Sequence, residues 1–160
     1  MNNKGKLVLL LLMLSLSISF AAEFNLNLNS GWNLISIPLK ITNVETECNV
    51  VSIYTYENGK WVKVNNLKEL EVNKGYWVYV KNSCKITFIG EEVAFAIPKI
   101  NKGWNLIGGK ELTCEEIKQT CNPIIRRDGT CFYTFVPGAG WIAVSRTIKS
   151  NGYWVYCRNG

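Results

Sequence analysis

The chain has 160 residues, a formal net charge of +6, six cysteines and no histidine. Without histidine, the usual base for a serine or cysteine nucleophile is absent, and so is a common zinc ligand. The basic residues are scattered, with Arg126-Arg127 the one basic pair, which argues against a nucleic-acid groove because such a groove clusters its charge.

The first element is expected to be a targeting segment. Lys4 and Lys6 precede an apolar run over residues 7–20, followed by Ala21 and Ala22, which is the order of a secretory signal peptide. The run is short for a helix that must cross roughly 30 Å of hydrocarbon at about 1.5 Å per residue. Residues 1–21 are therefore expected to be a signal peptide. Cleavage after Ala21 places Ser19 and Ala21 at the small-residue positions, and an uncleaved N-terminal anchor is the alternative. No cysteine stands there to take a lipid, and nothing after Ala22 resembles a transmembrane span. Removing Lys4 and Lys6 lowers the net charge from +6 to +4.

The cysteines Cys48, Cys84, Cys114, Cys121, Cys131 and Cys157 all follow this segment. An even count in an exported chain predicts three disulfides. The competing zinc reading needs close cysteine pairs that this chain lacks.

Past the leader, Phe24, Leu26 and Leu28 alternate with polar residues, the period-two pattern of a half-buried strand. A second strand follows in GWNLISIPL and ends at Pro38. Thr42-Asn43-Val44-Glu45 has the T-x-x-E order of a capping box and predicts a short helix. Tyr54-Thr55-Tyr56 and Trp61-Val62-Lys63-Val64 flank Asn58-Gly59, the strongest short hairpin signal because both turn residues must accept positive φ. That turn sets Glu57 opposite Lys60 and Tyr56 opposite Trp61, a charge pair and an aromatic pair in one register. GYWVYV and KITFIG supply two further strands.

The second half repeats these elements. GWNLI recurs at residues 103–107, QTCN answers TECN, YTFVPGAGW answers YTYENGKW, and SNGYWVYCRN answers NKGYWVYVKN. Every tryptophan thereby gains a counterpart: Trp32 with Trp104, Trp61 with Trp141, and Trp77 with Trp154. The expected architecture is mainly β, two tandem homologous small modules over residues 22–92 and 93–160, each a hairpin-rich sheet or a barrel or sandwich with one short helix, related by a pseudo-twofold duplication. The second helix opens at Thr113-Cys114-Glu115-Glu116 and is expected to run to about Cys121. Cys114 and Cys121 would then lie about 10.5 Å apart along its axis, too far for a disulfide, whose Cα atoms lie within about 7 Å. Cys48 and Cys84 are expected to pair within the first module. In the second, Cys121–Cys131 around the Arg126-Arg127-Asp128-Gly129 loop and Cys114–Cys157 are expected.

The order GWNLIS-P, short helix, Y-x-Y-x-x-G-x-W hairpin and GYW-V/I-x-V resembles a repeat of secreted and cell-surface proteins of archaea and bacteria. The resemblance covers most of the chain, once per module. It implies a β-rich surface module, often appended to larger proteins, and offers no catalytic residues. The second copy departs from it at Gly108-Gly109, where Ser-x-Pro is expected.

An enzyme is not expected. Adjacent carboxylates at Glu91-Glu92 and Glu115-Glu116 could in principle serve glycoside hydrolysis. The first pair, however, sits at the module boundary, and the second sits in a helix first turn, where the dipole favours negative charge. No cofactor or metal is expected.

The aromatic residues carry the functional expectation. GWNLI reads as a buried rib, with Trp32 and Trp104 in the core. Trp77 and Trp154 read as core more than platform, while Trp61 and Trp141, just after turns, read as the most exposed. Tyr56, Trp61, Phe135 and Trp141 are therefore the candidate ligand-binding residues, with Asn58 and Asn65 as hydrogen-bonding neighbours. The expected function is a non-catalytic binding or adhesion module outside the cell, for a surface glycan or an extracellular protein and not for nucleic acid. A passive structural component is the alternative. A secreted inhibitor using the disulfide-tied loop over residues 122–130 is the more distant one.

Overall fold

A computed structural model of the chain describes residues 21–94, 96–108 and 110–159, so residues 1–20 of the expected signal segment lie outside it. The fold is mainly β, in three antiparallel sheets with one short α-helix. Among the described residues no helix is long and apolar enough to cross a membrane.

In the first sheet β7 (Cys84–Glu92) lies between β1 (Ala22–Leu28) and β3 (Leu39–Thr46). The second has the order β2-β6-β4-β5, formed by β2 (Gly31–Ser36), β4 (Val50–Glu57), β5 (Lys60–Val64) and β6 (Gly75–Val80). The third has the order β8-β11-β9-β10, formed by β8 (Gly103–Ile107), β9 (Phe132–Val136), β10 (Gly140–Val144) and β11 (Tyr153–Cys157). The second and third sheets thus place GWNLI at one edge, GYWVY or its counterpart beside it, and the aromatic hairpin at the other edge.

The first two sheets close on one core. Leu26, Leu28, Ile86 and Phe88 meet Ile35, Ile53, Tyr76, Val78 and Val80, all buried. The period-two rule explains the selection: Tyr76, Val78 and Val80 point inward from β6, leaving Trp77 and Tyr79 on the other face. The third sheet is covered differently. Its inward residues Phe132, Tyr153 and Val155 pack against Leu112, Ile117 and the cysteines Cys114, Cys121, Cys131 and Cys157, all buried.

Three disulfides join Cys48–Cys84, Cys114–Cys131 and Cys121–Cys157. The second-half pairing differs from the expected Cys121–Cys131 and Cys114–Cys157. The helix α1 (Cys114–Ile117) directs its first residue toward β9, where Cys131 waits with a Cα–Cα distance of 5.9 Å. The turns that follow carry Cys121 to the end of β11. Sequence order around the loop does not reveal which strand each helix end faces.

Two helix expectations also change. The Thr113 capping box forms, with Glu116 N donating to Thr113 Oγ1 and Thr113 N to Glu116 Oε2. The α-helical part nevertheless stops at Ile117, and single hydrogen-bonded turns continue to Cys121. Thr42 begins no helix. It lies inside β3, where its hydroxyl donates to Ile89 O. No apolar stripe of helical period follows it, and β7 pairs with β3 on both sides of a bulge at Thr42, so the strand wins. The only helical turn among the described residues of the first half is the 3-10 turn Leu67–Glu69.

The second and third sheets meet edge to edge through reciprocal contacts. Gly152 N donates to Leu34 O and Ser36 N to Ser150 O, while Gly108 N donates to Asn73 O. The site of a Cβ on Gly75 lies 2.8 Å from Leu106 Cδ1, and that of a Cβ on Gly152 lies 2.9 Å from Leu34 Cδ1. Each leucine of GWNLI therefore packs onto the glycine that opens GYW in the other half, where no side chain would fit.

Candidate aromatic binding face

The GWNLI motif resolves into separate tasks. Gly31 and Gly103 both take φ +96°, a left-handed conformation that disfavours any side chain. Asn33 is buried and clamps the preceding turn: its Oδ1 accepts from Asn29 N at 3.0 Å and its Nδ2 donates to Asn29 O at 2.8 Å. Asn105 repeats this on Asn101 at 2.9 and 2.8 Å. With asparagine turned inward, tryptophan must turn outward. Trp32 is 41 % exposed and Trp104 48 %, which corrects the expectation that both are core ribs. Leu34, Ile35, Leu106 and Ile107 are buried as ribs should be.

Strand register then assembles the outward face. Trp32 stands opposite Tyr79, Trp77 opposite Tyr54, and Tyr56 opposite Trp61. In the third sheet Trp104 stands opposite Tyr156, Trp154 opposite Tyr133, and Phe135 opposite Trp141. The Asn58-Gly59 turn takes φ of 51° and 77° and sets the expected Glu57–Lys60 and Tyr56–Trp61 pairs.

The two aromatic rows cross the junction into one another. Trp154 meets Tyr56 and Trp61 of the first half, at ring-centre distances of 5.1 and 5.7 Å. Trp77 meets Phe135 and Trp141 of the second, at 5.4 and 5.8 Å. Within the halves, Trp32–Trp77 and Trp104–Trp154 are both 6.2 Å apart. Most of these contacts are edge-to-face, the arrangement that ring quadrupoles favour.

The result is an open cleft of about 870 Å³ lined by Trp32, Tyr54, Tyr56, Trp61, Trp77, Trp104, Tyr133, Trp141 and Trp154. Of the four candidate residues, Tyr56, Trp61 and Trp141 line it, and Phe135 supports it through Trp77 and Trp141. Trp61 and Trp141 are 56 % and 57 % exposed. Trp32, Tyr54, Trp104 and Tyr133 were not anticipated as lining. The signal for them lies in the polar residue that follows each, Asn33, Thr55, Asn105 and Thr134: all four are buried, which fixes the preceding ring on the opposite face. Asn58 and Asn65 do not line the cleft. Asn58 Oδ1 instead accepts from Asn101 Nδ2, joining the hairpin tip to the second half.

Behind the cleft, polar groups lock the sheets. Thr55 and Thr134 are buried and donate to Gly75 O and Gly152 O at 2.8 and 2.7 Å. Tyr76 Oη accepts from Glu71 N, and Tyr153 Oη accepts from Ile148 N. Burial raises both phenol pKa values, that of Tyr76 to about 12. Beside the junction, burial disfavours the charge of Lys74, but hydrogen bonds to Glu57 and Glu71 at 2.7 and 3.0 Å outweigh it and raise its pKa.

Neither carboxylate pair approaches the cleft. Glu116 belongs to the capping box, whose hydrogen bonds from Thr113 lower its pKa, and Glu115 pairs with Lys118 at 2.7 Å. Glu91 and Glu92 lie at the end of β7, facing β3. Among the described residues no cluster of His, Cys, Asp or Glu could hold a metal ion. What the face offers is ring surface with a few hydroxyl and indole N–H groups. No protein-family model, curated protein or solved structure matches the chain.

Proposed function

We propose that the protein is an exported, non-catalytic binding module that takes its ligand on the aromatic cleft, with a glycan as the best-fitting class. The observation that carries this reading is the exposure of tryptophan. Soluble proteins seldom leave a contiguous apolar patch uncovered unless something binds there, and four of the six tryptophans are more than one-third exposed on a single face. Three disulfides fit an oxidising, extracytoplasmic setting, and the leader-like residues 1–21 supply the route out. The paired ring distances and repeated asparagine clamps support descent of residues 22–92 and 93–160 from one duplicated unit. They also support the likeness to cell-surface repeats.

A glycan screen of the secreted chain, followed by titration of each hit against intrinsic tryptophan emission, tests the proposal. Binding accompanied by a change in emission is expected. Binding without any emission change would place the ligand elsewhere. A screen without hits, among glycans or extracellular proteins, would favour a passive structural component in which the rings serve only one another.

A further inference from the structure

We infer that the cleft is built for an acidic polysaccharide, with sugar rings against the indoles and carboxylates against a basic rim; this deepens the binding proposal and rests on it. The acidic residues are sorted by sheet. The eight strands of the second and third sheets hold a single acidic residue, Glu57 at the end of β4, and Lys74 neutralises it at 2.7 Å. The first sheet, which lies behind the core, holds Glu23, Glu45, Glu91 and Glu92. Negative charge is thus kept off the aromatic face.

Positive charge is not. Lys63 stands opposite Tyr54 on β5, two residues from Trp61, and so shares the aromatic face. Lys81 and Arg158 are exposed and directly follow β6 and β11, two residues beyond Tyr79 and Tyr156. The rings of those tyrosines touch Trp32 and Trp104 at 5.1 and 5.3 Å. Among the described residues none of the three cations forms an ion pair.

The lining itself has no amide and no carboxylate, the groups that bind neutral hydroxyls most firmly. Ring surface can hold the C–H face of a sugar, the tyrosine hydroxyls and indole N–H groups can meet its hydroxyls, and the charge beside the rings, from Lys63, Lys81 and Arg158, is cationic. A second copy of the chain fits poorly, because two concave faces with like-charged rims would oppose each other. A membrane surface fits less well than a chain-like ligand, because Trp77 and Trp154 are half-buried within the cleft.

The test compares oligogalacturonate with its methyl ester, the same sugar rings without the charge, by tryptophan fluorescence titration of the secreted chain. Three exposed ion pairs at the usual strength predict about tenfold tighter binding of the acid. That preference should shrink when salt is raised from about 20 to about 500 mM, as the screening length falls. Replacing Lys63, Lys81 and Arg158 together by alanine should abolish the preference and leave ester binding intact; the three are exposed, and an unchanged melting curve verifies the fold. Equal binding of acid and ester overturns the acidic assignment while leaving the glycan reading standing. Binding of neither glycan, whether or not phosphatidylglycerol vesicles bind, overturns the acidic assignment, and a wider screen without hits overturns the glycan reading as well.

Discussion

The two halves carry the same aromatic sheet on different foundations. In the first, the sheet β2-β6-β4-β5 is backed by a second sheet whose Ile86 and Phe88 fill the core. In the second, β8-β11-β9-β10 is backed by a four-residue helix, loops and four buried cysteines. What is held in common is the outward face and the devices that position it. These are the asparagine clamps, the threonine hydroxyls on the Gly carbonyls, and the tyrosine hydroxyls behind them. The supports differ while the rings recur, except that Phe135 stands where the first half has Tyr56 and Ala143 where it has Lys63.

The largest expected effect comes from the disulfides. Cys48–Cys84 and Cys121–Cys157 have the same sequence separation, 36 residues. Chain entropy therefore assigns each a similar contribution, roughly 4 kcal/mol. Their surroundings differ, since Cys121 and Cys157 are core residues and Cys48 and Cys84 are half-buried. Alanine at both Cys121 and Cys157 should therefore destabilise more than alanine at both Cys48 and Cys84, by about 1–2 kcal/mol of lost packing. Urea unfolding of the two double variants measures the gap, and equal costs would dissolve the distinction between the foundations.

The junction comes next. Gly75→Ala forces a Cβ against Leu106, and Gly152→Ala forces one against Leu34. Each should cost about 1–3 kcal/mol by overpacking. Each should also shift tryptophan emission, because Trp77 and Trp154 are the next residues but one. A variant that melts normally with unchanged emission would mean that the halves do not depend on this contact.

Alkali gives a smaller effect. The unfolded phenol ionises near pH 10, whereas folded Tyr76 holds its proton to about 12. The unfolded state therefore binds fewer protons between those values, so stability is full below pH 10 and falls as pH rises to 12. The loss is on the order of 2 kcal/mol. Tyr76→Phe should flatten that slope, as read by urea unfolding at pH 9 and 11, about one unit on either side of the free phenol pKa. Tyr153→Phe should change it in the same direction, since burial raises that phenol as well.

Much of this architecture is legible in residues. Alternation in GYWVYV and positive-φ tolerance at Asn58-Gly59 report local backbone preferences, and the strands and hairpin follow them. The direction of Trp32 was not legible from hydropathy, because the neighbouring Asn33 is polar and yet buried; only its hydrogen bonds to Asn29 reverse the face. The T-x-x-E pattern was ambiguous for a related reason. At Thr113 it meets a helix, but at Thr42 a neighbouring strand satisfies the backbone first. The cysteine pairing and the crossing of Trp154 to Trp61 depend on how elements meet in space, which short-range pattern does not encode.

The exposed rings should matter least to stability and most to binding. Trp61→Ala and Trp141→Ala remove edge-to-face contacts from side chains more than half exposed, at about 1 kcal/mol each. The double variant, assayed for melting temperature and for binding of a screened glycan, tests the account most directly. A melting temperature lowered by about 5–10 °C and binding reduced at least tenfold are expected. A melting temperature that collapses, or full binding retained without these two rings, would contradict the account.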